Sequence, residues 1–528
     1  MMKQGFYGGG LLSEFTYKLQ EATGHHDTGP RPENVGQWAE QKQLRLDRGW
    51  FTFDRHEYLE EPYRDDHPRQ VEEKCAQMGN SVKAMLTTFY SARFMPFVGI
   101  LYLFPSKSGV GDFVRSRVNP LVEDNPEEIG AFMRDTDSVG LKRMCGTNLI
   151  FRGTKSAEGL RSDPCDMVLY DEYDLMPAGV EEAAKGRLGH SDYKWERYLS
   201  NPTIPDFGID RQFQLSDQRY WHVRCPRCGQ YTCMEEHPLE EVLWEKADGE
   251  VIRLCQQCRN GELDVTQGRW VAKYPSVTEV RGYHYSQLFS SFVSPAEILH
   301  GYRTTKKLGD FHNYVLGMPY IEAENRLSRE QILALCGTHG VASSDKGPCV
   351  MGVDQGGKLH VVVGRRHPDT VAHLGEYGDW EELDRLMDEF NVACCVVDAQ
   401  PEMRPARAFA QRHPGKVFCC FYSEQQRGGY AWNEAKQVVT VNRTESLDDS
   451  QHVLLKGQVV LPKYCGVVET FAAHCNNLAK KLEERDDGSK KYVYVKLSQE
   501  DHFRHAMNYM TVAMRRCEGS YYGDCDMG

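Results

Sequence analysis

Between about residues 60 and 220, short apolar runs such as Phe97-Val-Gly-Ile-Leu-Tyr-Leu-Phe104 and Met167-Val-Leu-Tyr170 alternate with helix-period stretches such as Ser81 to Phe94. Runs this short and continuous predict parallel strands buried on both faces, with helices between them. A second α/β pattern opens at Val350-Met-Gly-Val-Asp354, with strands expected at 360–365, 392–398, 416–422 and 492–497. Helices are expected there at 380–390, 402–412, 466–482 and 500–515. A Cys-rich polar segment (222–260), aromatic text (GYHYSQLFSSF, 282–292) and an amphipathic helix near 295–307 lie between the two patterns, followed by a linker-like stretch at 337–347. Residues 1–59 show little periodicity and read as an extension. The resulting division is 1–59, a first core at 60–221, a Cys-rich insert at 222–262, the remainder of the first region with a linker at 263–346, and a second core at 347–528.

Composition narrows the class. At 528 residues, 40% hydrophobic and 26% charged, the chain exceeds one domain and is neither collagen-like, coiled-coil nor wholly disordered. No run reaches the ~20 apolar residues that span a bilayer. The start, MMKQGFYGGGLLSEF, lacks the order of a signal peptide, so a cytosolic protein is expected. The 18 cysteines therefore read as free thiols or metal ligands rather than a disulfide framework. A net charge of −13 argues against coating nucleic acid by bulk charge, although a local basic channel is compatible with it.

Three constellations carry candidate chemistry. Asp163-Pro-Cys-Asp-Met-Val-Leu-Tyr-Asp171-Glu172 reads as a buried strand ending in two carboxylates. Phosphoryl transfer uses such a pair, Asp171 to hold Mg²⁺ on the phosphates and Glu172 to orient and deprotonate water. Upstream, Lys74-Cys-Ala-Gln77-Met-Gly79-Asn80-Ser81 leads into a helix, where free N–H groups can cradle an anion and the Ser81 hydroxyl can complete a Mg²⁺ shell. Asn80 stands where a phosphate-loop lysine is usual, so the cation is expected from Lys74 or Lys83, and helical spacing favours Lys74. Second, Cys225-Pro-Arg-Cys228 and Cys255-Gln-Gln-Cys258, 26 residues apart, have the spacing of a four-thiolate zinc ribbon, with Cys233 and His222 as spare ligands. Third, Asp354 and Asp398 each end an apolar strand; on neighbouring strands they would converge to share divalent ions for phosphodiester cleavage. His360, His452 and His474 show no partner pattern and read as surface or core histidines.

The order Lys-x-x-Gln-x-Gly-x-Ser, a VGILYLFP strand, LYDEYD and Ser200-Asn201-Pro202-Thr203-Ile-Pro205 resembles the large terminase subunits of tailed bacteriophages, most closely the GpA-like, lambda-type branch. The CPxCG text at 225–229 is also similar to that branch. The resemblance runs from about residue 40 to the C-terminus. It implies a P-loop ATPase of the ASCE/RecA type with a zinc-ribbon insert, followed by an RNase H-like nuclease domain. Carried over, Lys74, Gln77, Gly79, Asn80 and Ser81 would bind ATP and Mg²⁺, Asp171 and Glu172 would hydrolyse it, and Ser200 to Thr203 would couple hydrolysis to motion. Arg115, Arg117, Arg152 and Arg161 are candidates for an arginine finger. Asp501 would be the third nuclease acid, with Glu500 as alternate and His505 where a further acid is usual; the ions would be Mg²⁺ or Mn²⁺, beside structural Zn²⁺. The implied function is ATP-driven packaging and cutting of double-stranded DNA in the host cytoplasm, with a small terminase subunit, the portal ring, further copies of the chain and no membrane as partners. Two other readings remain at this stage: a helicase-nuclease of repair or restriction, and a non-hydrolysing zinc-ribbon scaffold.

Overall fold

The computed structural model describes residues 31–155, 164–365, 370–484, 490–497 and 499–519. They form two compact units that divide between Tyr320 and Ile321. Residues 321–346 belong to the second unit, where the helix Arg329–Leu333 lies on the helix Gly466–Asn476.

The first unit is built on a sheet of β1 (Arg69–Lys74), β2 (Gly99–Phe104), β3 (Met133–Ser138), β4 (Leu141–Met144), β5 (Thr147–Gly153), β6 (Met167–Asp171), β7 (Trp195–Ser200), β8 (Arg219–Arg224), β9 (Tyr231–Cys233), β10 (Gly268–Ala272) and β11 (Arg281–Tyr285). Their spatial order is β9-β8-β11-β1-β7-β6-β2-β5-β4-β3, with β10 paired to β8. The run from β8 to β5 is parallel throughout. Alternation along each strand sends Ile100, Tyr102, Met167 and Leu169 to the face covered by α1 (Asn80–Phe94), and Leu101, Leu103, Val168 and Tyr170 to the face of α2 (Gly208–Gln214). Helix α1 ends at Phe94 because Met95 precedes Pro96 and is driven to extended backbone.

The second unit carries β12 (Cys349–Gln355), β13 (Leu359–Arg365), β14 (Thr370–Tyr377), β15 (Val392–Asp398), β16 (Val417–Tyr422), β17 (Ala431–Asn433) and β18 (Val438–Val441), in the order β14-β13-β12-β15-β16-β18-β17. Helices α3 (Trp380–Glu389) and α4 (Met403–Arg412) cover one face, which receives Met351, Val353, Cys395 and Val397. Helices α5 (Arg443–Leu455), α6 (Gly466–Asn476) and α7 (His502–Gly519) cover the other, which receives Val350, Cys394 and Val396. The helix expected over 466–482 stops at Asn476, and Leu478–Glu484 is instead a strand, β19, paired antiparallel with β20 (Lys490–Lys496). Leu-Ala-Lys-Lys-Leu-Glu-Glu is good helical text by propensity, but the β-rich Tyr-Val-Tyr-Val partner captures it, a tertiary override of a weak local preference.

Helix α7 crosses β12 at Gly352, where an added Cβ would lie 2.1 Å from both Ala506 O and Met510 N. Gly352→Ala must therefore push backbone off the sheet. Its expected cost is about 3 kcal/mol, the upper end of overpacking penalties, and a chemical denaturation midpoint close to that of the parent would show that α7 yields easily.

Candidate functional site

The carboxyl ends of β1, β7 and β6 lie side by side, the place where parallel α/β sheets bind ligands. Register pairs Glu73 with Ser200 and Asp171 with Leu199, so the residues leaving these three strands are level with one another. Lys74 Nζ donates to Glu172 Oε1 at 3.1 Å and to Asn201 Oδ1 at 3.3 Å. Burial works against the Lys74 ammonium, but the Glu172 and Asp171 carboxylates more than offset it and hold its pKa above the usual lysine value. Asp171, buried, accepts from the Tyr102 hydroxyl at 2.8 Å. Burial first, and then the adjacent Glu172 charge, push the Asp171 carboxyl well above the ordinary aspartate range. A buried carboxylate in that condition is the donor chemistry a divalent cation relieves. Glu172 itself is in the left-handed region, φ 58°, a conformation that costs a non-glycine residue roughly 1–3 kcal/mol and collects at functional sites.

The loop between β1 and α1 has two left-handed residues, Gln77 at φ 63° and Gly79 at φ 89°. Gly79 also passes Leu59, whose Cδ1 would be 2.9 Å from an added Cβ. The first backbone bond of α1 is Lys83 N–H to Gly79 O at 3.1 Å, so the helix itself makes no use of the N–H groups just after the glycine. Ser81 is half-buried at this helix start. Asn80 departs from the phosphate-binding expectation: its side chain is buried and donates to Glu72 Oε2 at 2.7 Å, leaving its backbone as the group available to an anion. Lys83 is likewise turned inward, in a buried ion pair with Glu72 and 3.1 Å from Gln70 Oε1. Of the two candidate cations, Lys74 is the one beside the acids.

Asp174 was not singled out from sequence. Its Oδ2 accepts from Thr203 N at 2.8 Å and Thr203 Oγ1 at 2.7 Å, its Oδ1 accepts from Ile209 N at 2.5 Å, and its own N–H donates to Ser200 Oγ at 3.2 Å. It ties the Ser200–Thr203 segment to the turn that carries Glu172, while Asn201 ties the same segment to Lys74 and to Asn313 O at 3.4 Å. The signal available beforehand was the third acid of Asp171-Glu172-Tyr173-Asp174. Among the arginine candidates, Arg115 pairs with Asp112 at 2.9 Å, Arg117 with Asp47 at 2.5 Å, and Arg152 donates to Gly140 O at 2.7 Å; Arg161 lies outside the described residues.

The Sγ atoms of Cys225, Cys228, Cys255 and Cys258 all lie within 4.8 Å of one another, with Cys225 to Cys258 and Cys228 to Cys255 each 3.8 Å. A tetrahedron of thiolates at the zinc bond length of about 2.3 Å has an edge of about 3.8 Å, so the set fits Zn²⁺. The two knuckles are built alike: Gly229 N–H returns to Cys225 O and Arg259 N–H to Cys255 O, both at 2.9 Å, from left-handed backbone in each case. Burial raises the Cys255 thiol, but hydrogen bonds from backbone N–H groups and from Thr232 outweigh it and hold the thiol below its usual value. Gly261 passes so close that its Cβ would meet Cys225 Sγ at 2.4 Å. Cys233, 3.7 Å from Glu235 Oε2, and half-buried His222 stand outside this quartet.

In the second unit, β12 and β15 are parallel neighbours with Val353 opposite Val397, which sets Asp354 beside Asp398 on the face of α7. Burial, supported by Asp354 and opposed by the Gln400 N–H, pushes Asp398 up to about 6. A pair of carboxylates at neighbouring strand ends suits a divalent cation. Asp501 precedes α7 and is engaged by Lys496 at 3.3 Å and His505 at 3.4 Å, which, against burial, bring it down to about 2. Among the described residues the three aspartates do not draw together as a tight ligand cluster; only the cysteine quartet does. Glu500 is exposed, its carboxylate 3.8 Å from His474 Nε2. His360 and His474, read as bland from sequence, pack at this site with His502, and His452 is exposed.

Together these features define a P-loop-type α/β unit with a four-cysteine insert and a second α/β unit with aspartates at neighbouring strand ends. Residues 49–272 match the family model "Phage terminase large subunit gpA, ATPase domain". Over those residues the first unit is similar to the ATPase domain of the GpA-like phage terminase large subunits. No curated protein matches it. Among solved structures, the large terminase of bacteriophage HK97 is 11% identical, with a TM-score of 0.54 over 92% of this chain and 100% of that one, and shares the fold. The large terminase of a thermophilic bacteriophage is 12% identical over 84% and 93% of the two chains, with a TM-score of 0.32. The large terminase nuclease of thermophilic phage G20c with bound magnesium is 15% identical over 37% and 99%, with a TM-score of 0.25.

Proposed function

We propose that the first unit hydrolyses ATP at the Lys74, Asp171 and Glu172 strand ends to drive double-stranded DNA into a procapsid, and that the second cuts concatemeric DNA at Asp354, Asp398 and Asp501. The observation that carries the first part is the Lys74 bridge between Glu172 and Asn201. The loop N–H groups from Gln77 to Ser81 receive the phosphates, and Lys74 exchanges the Glu172 carboxylate for them. Freed of the ammonium, Glu172 orients the attacking water and takes its proton. Asn201, losing or keeping Lys74, passes the change to Thr203 and Asp174, the coupling segment.

In this reading Asp171 and Ser81 would hold Mg²⁺, and Asp354 and Asp398, joined by Asp501 once it leaves Lys496 and His505, would hold Mg²⁺ or Mn²⁺; bound metal would supply charge neutralisation at the phosphates and an activated oxygen nucleophile. Zn²⁺ fits the cysteine quartet with no open position, a structural role. Contacts with DNA are mainly to phosphates, because a translocating motor must accept any sequence. The remaining partners are a small terminase subunit, the portal and further copies of this chain in a ring, acting in the host cytoplasm; among the described residues no helix is long and apolar enough to cross a membrane.

The test separates the two activities. Asp398→Asn is expected to lower cutting of linear duplex by at least about a hundredfold, beyond what loss of an outer-shell partner costs, while ATP hydrolysis stays at the parent rate. Undiminished cutting would remove β15 from the nuclease centre.

A further inference from the structure

Helix α7 brings more than Asp501 to the nuclease acids. His502 Nδ1 lies 2.8 Å from Asp354 Oδ2. Two ligands adjacent on one octahedral ion, each at about 2.1 Å, are about 3 Å apart, so this pair already has the separation of neighbouring donors. The His502 ring is also held from behind. It stacks on His360, centroids 4.7 Å apart at 18°, and meets His474 edge-on at 6.2 Å. His360 is buried and pairs in register with Asp354 across the β12–β13 hairpin. On its fourth side the ring presses on Gly356 in the hairpin turn, where an added Cβ would come within 2.6 Å of His502 Cε1. An imidazole placed by two further imidazoles and a glycine, edge to edge with a metal-type carboxylate, is more constraint than a helix-start residue requires.

We propose that His502 is a metal ligand of the nuclease centre alongside Asp354, giving that centre a mixed nitrogen and oxygen donor set; this rests on the nuclease reading above. Mg²⁺ keeps to oxygen ligands and water, whereas Mn²⁺, a first-row transition ion of the same octahedral habit, accepts an imidazole nitrogen at less cost. The centre is therefore expected to prefer Mn²⁺ over Mg²⁺. His360, His474 and Gly356 are positioning residues for the ring.

The experiment is pulsed electron paramagnetic resonance of Mn²⁺ added to the zinc-loaded full chain, freed of labile ions by gel filtration rather than by chelator. Titration calorimetry of Mn²⁺ and Mg²⁺ accompanies it. The expected result is a ¹⁴N coupling on bound Mn²⁺ in the parent, abolished in Asp354→Asn, lost in His502→Asp and weakened in Gly356→Ala, which keeps every donor but displaces the ring. Mn²⁺ affinity is expected to fall about tenfold or more in His502→Asp, the lower bound for disturbing a metal's ligand sphere, with Mg²⁺ affinity held or improved. Mn²⁺ bound in an Asp354-dependent manner without nitrogen coupling in the parent overturns the assignment and leaves His502 a hydrogen-bond partner. Mn²⁺ binding indifferent to both Asp354→Asn and Asp398→Asn overturns the nuclease reading itself, and the ligand assignment with it. The parent spectrum decides the point even where a variant fails to fold.

Discussion

Glu172→Gln is expected to lower kcat for ATP hydrolysis by about 10² to 10⁴, the range for loss of a general base, while nucleotide binding holds or tightens. The two halves of the expectation have one origin. In the structure the Glu172 carboxylate is the partner that occupies Lys74 at 3.1 Å, and in the proposed mechanism the same carboxylate takes a proton from water. The amide cannot take the proton, and it releases the ammonium to the phosphates. Removing the Glu172 charge also relieves Asp171, whose raised pKa owes its second-largest cause to that neighbour. The measurement is steady-state hydrolysis with and without linear duplex, together with equilibrium binding of a fluorescent nucleotide. A kcat within about threefold of the parent would mean that another group orients the water. Weakened binding at normal kcat would mean that Glu172 holds the site together rather than working in it.

Much of the architecture was legible because buried parallel strands announce themselves: Met167–Asp171, Cys349–Gln355 and Val392–Asp398 are apolar runs that end in a polar residue, and Gly99–Phe104 is an apolar run closed by Pro105. The cysteine spacing was legible for the same reason that the sulfur tetrahedron closes, since each knuckle is a local turn. What was not legible depends on partners distant in sequence. Asn80 looked like a degraded phosphate-loop residue, yet its side chain serves Glu72 beneath the loop, a contact between faces of a helix and a strand that no local pattern encodes. His360, His474 and His502 come from β13, α6 and α7 and meet only because α7 lies against Gly352. Asp174 was in plain view in LYDEYD, but its role appears only once β7 lies between β1 and β6 and delivers Ser200 and Thr203 to it.

Loss of the cysteine quartet, proposed above to hold Zn²⁺, is expected to disable ATP hydrolysis although none of its thiols lies in the proposed nucleotide site. Structural zinc contributes roughly 10–16 kcal/mol of apparent binding free energy in small peptides, of the order of the whole stability of a domain. The strands around the quartet belong to the main sheet: β8 leads into Cys225, β9 follows Cys228, and β10 pairs along β8 from Arg219 to Val223. Strand β8 meets β11 at Arg219 and Tyr283, and β11 pairs with β1 along its whole length, down to Tyr285 beside Lys74. The loop after β1 leans on the same neighbour, with Cys75 N–H donating to Tyr285 O at 2.9 Å. Unfolding of the ribbon therefore exposes the edge that holds Lys74 and its loop. In Cys255→Ser with Cys258→Ser, or after zinc removal by a strong chelator, amide exchange should quicken first over 219–272, then over β11 and β1, and hydrolysis should fall with the second phase. Protection of β1 and undiminished turnover in protein shown to be zinc-free would confine the ribbon to a role outside the motor.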